Sequence, residues 1–177
     1  QIGVHYISQP MDIDETPLAA ELAADYVERL AIEKAKAGLK RNPTLAVLAA
    51  DTSVVLNEQI LGKPETIQGA EEMLMALSGS SHKVMTGIAL ARKLAGEVEL
   101  LHEVVVTQVQ FLELSPELIA QYVATGESMD KAGSYGIQGR AAVFFDAING
   151  SYSNVVGLPL AQVGNMLQRF TIPIWQY

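Results

Sequence analysis

Residues 45–64, LAVLAADTSVVLNEQILGKP, hold the first groups whose types and spacing could do chemistry. Leu45, Val47, Leu48, Ala49 and Ala50 form an apolar run that stops at Asp51, Thr52 and Ser53, and Val54 and Val55 follow at once. Such a run reads as a buried strand that carries an acid to its end. A charge is seldom left inside a sheet without a partner, and open α/β sheets gather ligands outside the carboxyl ends of their strands. Asp51 is therefore the leading candidate for a catalytic group. Further on, Gly62 and Pro64 bracket Lys63 in a turn that joins a freely rotating residue to one of fixed φ. A carboxylate and an ammonium on neighbouring turns suit a metal and a phosphate. An Asp after a strand also serves as a plain turn former, and a Lys between Gly and Pro as a solvated charge, so the pair alone leaves both readings open. It is not a Walker loop, because Asn57 stands where that loop needs Gly and Pro64 follows Lys63 where it needs Ser or Thr.

Two other stretches are dense in polar groups. Met11 to Thr16 reads MDIDET, whose Asp12, Asp14 and Glu15 form either a solvated acidic loop or a second source of carboxylate. Asp130 to Gly139 reads DKAGSYGIQG, and three glycines, two charges, a Tyr and a Gln in so short a span suit no periodic element; they mark a shaped loop. His5, His82 and His102 are scattered, with no pair at metal-ligand spacing, and read as structural or surface residues.

These groups need elements to position them. Thr16 and Pro17 offer a capping hydroxyl and a proline for a first helical position. Tyr26, Val27, Leu30, Ala31, Lys34 and Ala35 then recur at helical spacing, predicting a long amphipathic helix from Leu18 to Leu39. Lys34 falls at the edge of its buried stripe, where a lysine either snorkels or reaches into a cleft. Val4, Tyr6 and Ile7 form a strand-like run. Ala70, Met73, Leu74 and Leu77 make the apolar face of a shorter helix ended by Ser78 and Gly79, and Val84 to Ala91 and Val98 to Leu114 read as two long antiparallel strands joined near Gly96. Ser115 and Pro116 start another helix, Ala142 to Ile148 is a strand, Asn149 and Gly150 are a tight turn, and Pro159 opens the last helix.

Composition narrows the classes. The 177 residues are 49% hydrophobic, enough for one domain with a sizeable core. There is no cysteine, so disulfides, thiolate zinc sites and thiol nucleophiles are excluded within these residues, and the chemistry rests on oxygen and nitrogen. A net charge of -8 argues against nucleic acid or an anionic membrane as partner, since both need a basic face. The apolar runs are strand-sized and no signal-peptide pattern opens the chain, so a cytoplasmic location is expected.

Taken together, the stretches resemble the Maf family of nucleoside triphosphate pyrophosphatases. The matching segments are DIDET at Asp12 to Thr16, RLAIEKAKAG at Arg29 to Gly38, AADT at Ala49 to Thr52, LGKP at Leu61 to Pro64, DKAGSYGIQG at Asp130 to Gly139 and INGSYSNVVGLPL at Ile148 to Leu160, in the family's order. The resemblance implies an α/β fold, one domain over residues 1–177 with a long twisted mixed sheet flanked by helices and two lobes about a central cleft, similar to the inosine triphosphate pyrophosphatases. It implies hydrolysis of a nucleoside triphosphate between its α and β phosphates, giving a monophosphate and pyrophosphate, with Mg²⁺ or Mn²⁺ as cofactor. By resemblance, Asp51 takes the place of the proton acceptor, Glu15, Lys34 and Lys63 fall on the other polar cleft positions, and Asp51 with Glu15 would hold the metal. Thr52 and Gln138 match positions of the branch that prefers dTTP and UTP, unlike the branch that prefers 7-methyl-GTP. A homodimer is suggested on the same ground. The family's opening strand and its Ser-x-Ser-Pro-Arg-Arg loop have no counterpart here. Gln1 to Val4 resemble the end of the helix that follows that loop, so a preceding segment, and lower activity without it, are expected. The competing expectation, from the family's link to septum formation, is a nucleotide-binding regulator of cell division; the presence of both Asp51 and Glu15 favours catalysis.

Overall fold

The computed structural model of the protein describes residues 2–175. Residues 2–18 form neither helix nor strand. The strand expected through Val4, Tyr6 and Ile7 is absent: Tyr6 and Ile7 are exposed, while Ile2 and Val4 pack beside Ile88 and Phe170. Gly3 takes the left-handed φ of 65° that is common just past a helix end; Gln1 lies outside the described residues.

Helix α1 spans Ala23–Arg41 and buries Val27, Leu30, Ala31, Ala35, Gly38 and Leu39. It begins later than the Leu18 expected, and Thr16 and Pro17 do not cap it. Ala20 turns left-handed at φ 58°, a conformation no helix accommodates. The Glu21 carboxylate instead accepts the Leu18 N–H at 2.9 Å and holds Arg29 at 2.6 and 2.8 Å.

Strand β1, Val47–Leu56, does not end at Asp51 as expected but runs on through it, with Asp51 mid-strand and the buried residues, Ser53 to Val55, after it. It turns at Asn57 and Glu58 into β2, Gln59–Leu61, which pairs antiparallel with it. Both turn residues have positive φ, 49° and 64°, the twist a two-residue hairpin prefers. Helix α2, Ile67–Leu77, is capped by Thr66, whose hydroxyl accepts the Gly69 N–H. Strands β3, Ser81–Leu94, and β4, Glu97–Phe111, are joined by Ala95 and Gly96, both again at positive φ. Helix α3, Pro116–Val123, is capped by Ser115 as its sequence predicts. The strand expected from Ala142 is shorter, because Arg140–Phe144 wind into a 3₁₀ turn and β5 is only Phe145–Asn149. A short helix α4, Tyr152–Val156, and α5, Leu160–Arg169, complete the order.

The sheet order is β2-β1-β3-β4-β5. The α/β class and the helix-flanked sheet are as expected. The pairs β1–β2 and β4–β5 are antiparallel, and the two-residue turn after β3 makes β4 antiparallel to it as well; the mixed character expected of the sheet is not found in these pairs. No helix among the described residues is long and apolar enough to cross a membrane.

The chain divides into two units, and β1, β3 and β4 have residues in each. The first contains residues 1–51, 86–105 and 157–177. Its core has one cluster of Ala31, Ala35, Leu39, Ala89 and Ala91 and another of Ile88, Leu90, Val163, Met166, Leu167 and Phe170. The second contains residues 52–85 and 106–156, with a larger core around Leu74, Leu77, Val84, Phe111, Ile119, Tyr135 and Phe144. Burying such side chains contributes roughly 1.5–3 kcal/mol each.

Candidate functional site

Within the first unit, α1 and β1 bring together three of the residues singled out in the sequence. Side chains alternate between faces along a strand. Val47 and Ala49 pack with Ala31, Ala35 and Leu39 of α1, so Asp51 turns toward the same helix, whereas Ala50 packs beside Ile88 and Val163. Small residues let the helix approach. A Cβ on Gly38 would stand 2.7 Å from Val47 Cγ1, and one on Gly87 of β3 would overlap the Val27 carbonyl oxygen.

At that separation Lys34 reaches across. Its Nζ donates to Asp51 Oδ1 at 2.7 Å and lies 2.7 Å from Glu15 Oε1. Glu15 belongs to the irregular segment before the helix, and two α1 side chains hold that segment: the Tyr26 hydroxyl donates to the Glu15 carbonyl oxygen at 2.9 Å, and Arg29 Nη2 to that of Thr16 at 3.2 Å. The side chains of Asp51 and Lys34 are 13% and 18% exposed, that of Glu15 52%. The Glu15 arm is thus solvent-screened and contributes at most about 1 kcal/mol to stability; the Asp51 arm is sheltered, and removing one partner there strands the other charge. Partial burial works against the Lys34 ammonium, but its hydrogen bonds to Asp51 and then Glu15, with their fields, outweigh this and raise its pKa above the usual lysine value. Burial, followed by the fields of Asp51 and Glu15, raises Tyr26 likewise.

The other three residues lie in the second unit. Thr52, next to Asp51 on β1, takes the alternate face of the strand and is half-buried. Lys63 is exposed beside buried Pro64. Its turn is tied to the glycine-rich loop, since the Gly133 N–H donates to the Gly62 carbonyl oxygen at 3.0 Å, and the Lys63 charge adds to that of Lys131 in lowering the pKa of Asp130. Gln138 is exposed on that loop, between buried Ile137 and exposed Gly139.

The donor set bears on a metal. Two carboxylates within hydrogen-bond reach of one ammonium are hard oxygen donors of the kind Mg²⁺ uses, one or two carboxylates completed by substrate phosphates. Among the described residues no cluster of three or more acids or histidines forms a cage of its own. Asp51 and Glu15 therefore fit a cation shared with a phosphate ligand, which would meet the charge of Lys34 at the same place.

Sequence reasoning missed several residues that build this arrangement. Tyr26 reads as part of the apolar stripe, although a buried Tyr needs a partner for its hydroxyl. Arg29 and Glu21 anchor the turn that delivers Glu15, and no spacing marks them as partners. Gly87 was visible only as a glycine inside a strand, itself a sign of close backbone approach.

An α/β fold that presents an ammonium between two carboxylates suits a class of protein that acts on phosphate esters. Comparison with known sequences is more specific. Residues 1–170 match the family described as Maf-like protein, and the chain belongs to that family. It is 49% identical over 176 residues to a dTTP/UTP pyrophosphatase of Symbiobacterium thermophilum, covering 99% of this chain and 88% of the relative. A dTTP/UTP pyrophosphatase of Nitrosomonas europaea is 47% identical over 99% of this chain and 89% of its own. One from Alcanivorax borkumensis is 49% identical over 99% and 90%.

Proposed function

We propose that the protein is a nucleoside triphosphate pyrophosphatase that hydrolyses dTTP and UTP to the monophosphate and pyrophosphate. The observation that carries this reading is the meeting of Asp51 and Glu15 on Lys34 in a chain nearly half identical to relatives that bear that activity in their names.

Water attacks the α-phosphorus, the bond to the bridging oxygen breaks, and pyrophosphate leaves with the negative charge. Asp51 takes the proton of the attacking water; Lys34, donating to Asp51 Oδ1, orients that carboxylate. Lys63 stabilises the charge that grows on the phosphate oxygens. Gln138 offers a donor and an acceptor on one side chain, matched to the edge of uracil or thymine, and Thr52 assists in the choice of base. Asp51 and Glu15 would hold a divalent cation, Mg²⁺ or Mn²⁺, which when bound would supply Lewis-acid charge to the phosphates.

Pyrophosphate release from dTTP, UTP, CTP, dATP, GTP and 7-methyl-GTP, with Mg²⁺ or Mn²⁺ and the full-length protein, tests the reading. Turnover concentrated on dTTP and UTP is the expected result. Folded protein inert toward all six would remove it and favour a nucleotide-binding regulator.

A further inference from the structure

His82, on β3, is 2% exposed, and its Nε2 lies 2.6 Å from the Tyr135 hydroxyl. Two aromatic rings stand edge-on to it, Phe111 at 4.9 Å and Tyr135 at 5.4 Å. Its other nitrogen, Nδ1, is buried with no hydrogen-bond partner among the described residues. Burial alone pushes the imidazole down to about 4, so it is neutral near pH 7. Whichever tautomer is present, one ring nitrogen is committed to Tyr135 and the other left unpaired at a desolvation cost. A leucine here, with phenylalanine at 135, would fill the same space without any orphan. What the imidazole adds is its grip on one hydroxyl.

Tyr135 stands three residues before Gln138 in the same loop. That loop is fixed on both sides of Gln138. Upstream, Gly133 and Ser134 turn left-handed, at φ 66° and 65°, and the Ser134 hydroxyl lies 3.3 Å from Met73 Sδ. The fit is close, since a Cβ on Gly133 would stand 2.9 Å from Val54 Cγ1. Downstream, the Arg140 N–H donates to Glu127 Oε2 at 2.8 Å, and the Arg140 guanidinium pairs with Glu127 at 3.2 Å. Gln138 projects from a short span between these anchors. Among the described residues, the upstream tie of His82 to Tyr135 joins two side chains through a buried hydrogen bond. Others are a sulfur contact and the backbone bond from Gly133 to Gly62.

We propose that His82 and Tyr135 are positioning residues for base selection. Their buried hydrogen bond fixes where Gln138 meets the pyrimidine, and through the Gly133–Gly62 bond the same loop keeps register with the Lys63 turn. This rests on the reading of Gln138 as the base-contacting residue. Neither side chain touches substrate. The pair acts on discrimination by restricting the loop, because a pocket built on hydrogen bonds rejects the wrong base only while its donors and acceptors hold their places.

The test uses the full-length protein and two variants. Tyr135→Phe removes one hydroxyl and keeps the ring; His82→Leu combined with Tyr135→Phe removes both polar partners, a change that is close to neutral for stability in a buried pair. The readouts are the ratio of kcat/KM for dTTP over CTP, the melting temperature, and amide hydrogen exchange at residues 136–139 against that of α2 and α3. In both variants the ratio is expected to fall about tenfold, with exchange faster at 136–139 and unchanged in the helices. A purely structural role predicts instead that the double variant regains both stability and the wild-type ratio, which would overturn the proposal. So would a wild-type ratio in folded Tyr135→Phe, or unaltered exchange at 136–139. Should Tyr135→Phe fail to fold, the double variant decides alone. Failure of the underlying reading shows separately, as a wild-type protein that does not prefer dTTP, or a Gln138→Ala variant that keeps the preference.

Discussion

Lys34 of α1 and Asp51 of β1 meet at 2.7 Å, and the same ammonium holds Glu15 at 2.7 Å, so one cation on a helix sets the positions of two acids from separate segments. Both acids are held by a residue whose reach depends on how closely α1 lies to the sheet. The arrangement leads to several expected outcomes.

Asp51→Asn keeps the shape of the side chain and removes its charge. Pyrophosphate release from dTTP is expected to fall by about 10²–10⁴-fold, the range for loss of a general base, while dTTP affinity measured by titration calorimetry changes little. Undiminished turnover would take Asp51 out of the reaction.

Lys34→Met leaves Asp51 and Glu15 without the ammonium that both contact. Turnover is expected to drop. Their unneutralised charge should also draw a cation more strongly, so Mn²⁺ should raise the melting temperature of the variant by more than it raises that of the wild type. Equal shifts in scanning calorimetry would show that the two carboxylates do not share a cation.

Gly87→Ala is expected to destabilise the protein by about 3 kcal/mol or more, within the range of severe overpacking, because the new methyl would overlap the backbone of Val27. Gly164→Ala, in α5 with nothing within 4 Å of its would-be Cβ, is the control; there the gain in helix propensity is about 1 kcal/mol. Urea unfolding of both variants measures the contrast, and equal behaviour would mean that α1 yields without cost.

The pH dependence of stability should carry the mark of His82. Burial lowers its pKa from 6.5 to about 4, so between those values the unfolded chain binds more protons than the folded one. Stability is therefore full above pH 6.5, declines as the pH falls through that window, and stops responding to this group below about 4, for a total on the order of 3 kcal/mol. His82→Leu should flatten that limb. Glu21 acts lower, since its hydrogen bonds with Arg29 take its pKa from 4.5 to about 2; its contribution is present above pH 4.5 and is lost as the pH falls toward 2. Denaturant titrations at intervals from pH 8 to 2 distinguish the two windows.

Much of this was written in local pattern. The spacing of Ala31, Lys34 and Ala35, the Ser115-Pro116 cap and the non-periodic loop at Asp130 to Gly139 are short-range signals, and side-chain period and turn chemistry determine them without reference to the rest of the chain. The apolar run that stops at Asp51 misled, because β1 continues through it to Leu56. The start of α1 was misplaced for the complementary reason. Thr16 and Pro17 are a good local cap, but Glu21 reaches Arg29 and the Leu18 N–H, and the resulting turn overrides it. The likeness to a family added residue roles that no periodicity contains.

The sequence by itself determined which residues are candidates for reactive chemistry, because carboxylates, ammonium groups and shaped loops are chemical identities and spacings. Tertiary structure alone decided their partners. That Lys34 rather than Lys63 holds Asp51, that Tyr26 and Arg29 pin the segment bearing Glu15, and that His82 grips Tyr135 all depend on how close a helix, a strand and a loop approach. Those distances are set by small residues such as Gly87, Gly38 and Gly133 against neighbours remote in the chain, and a one-dimensional pattern does not specify which neighbour a missing side chain will admit.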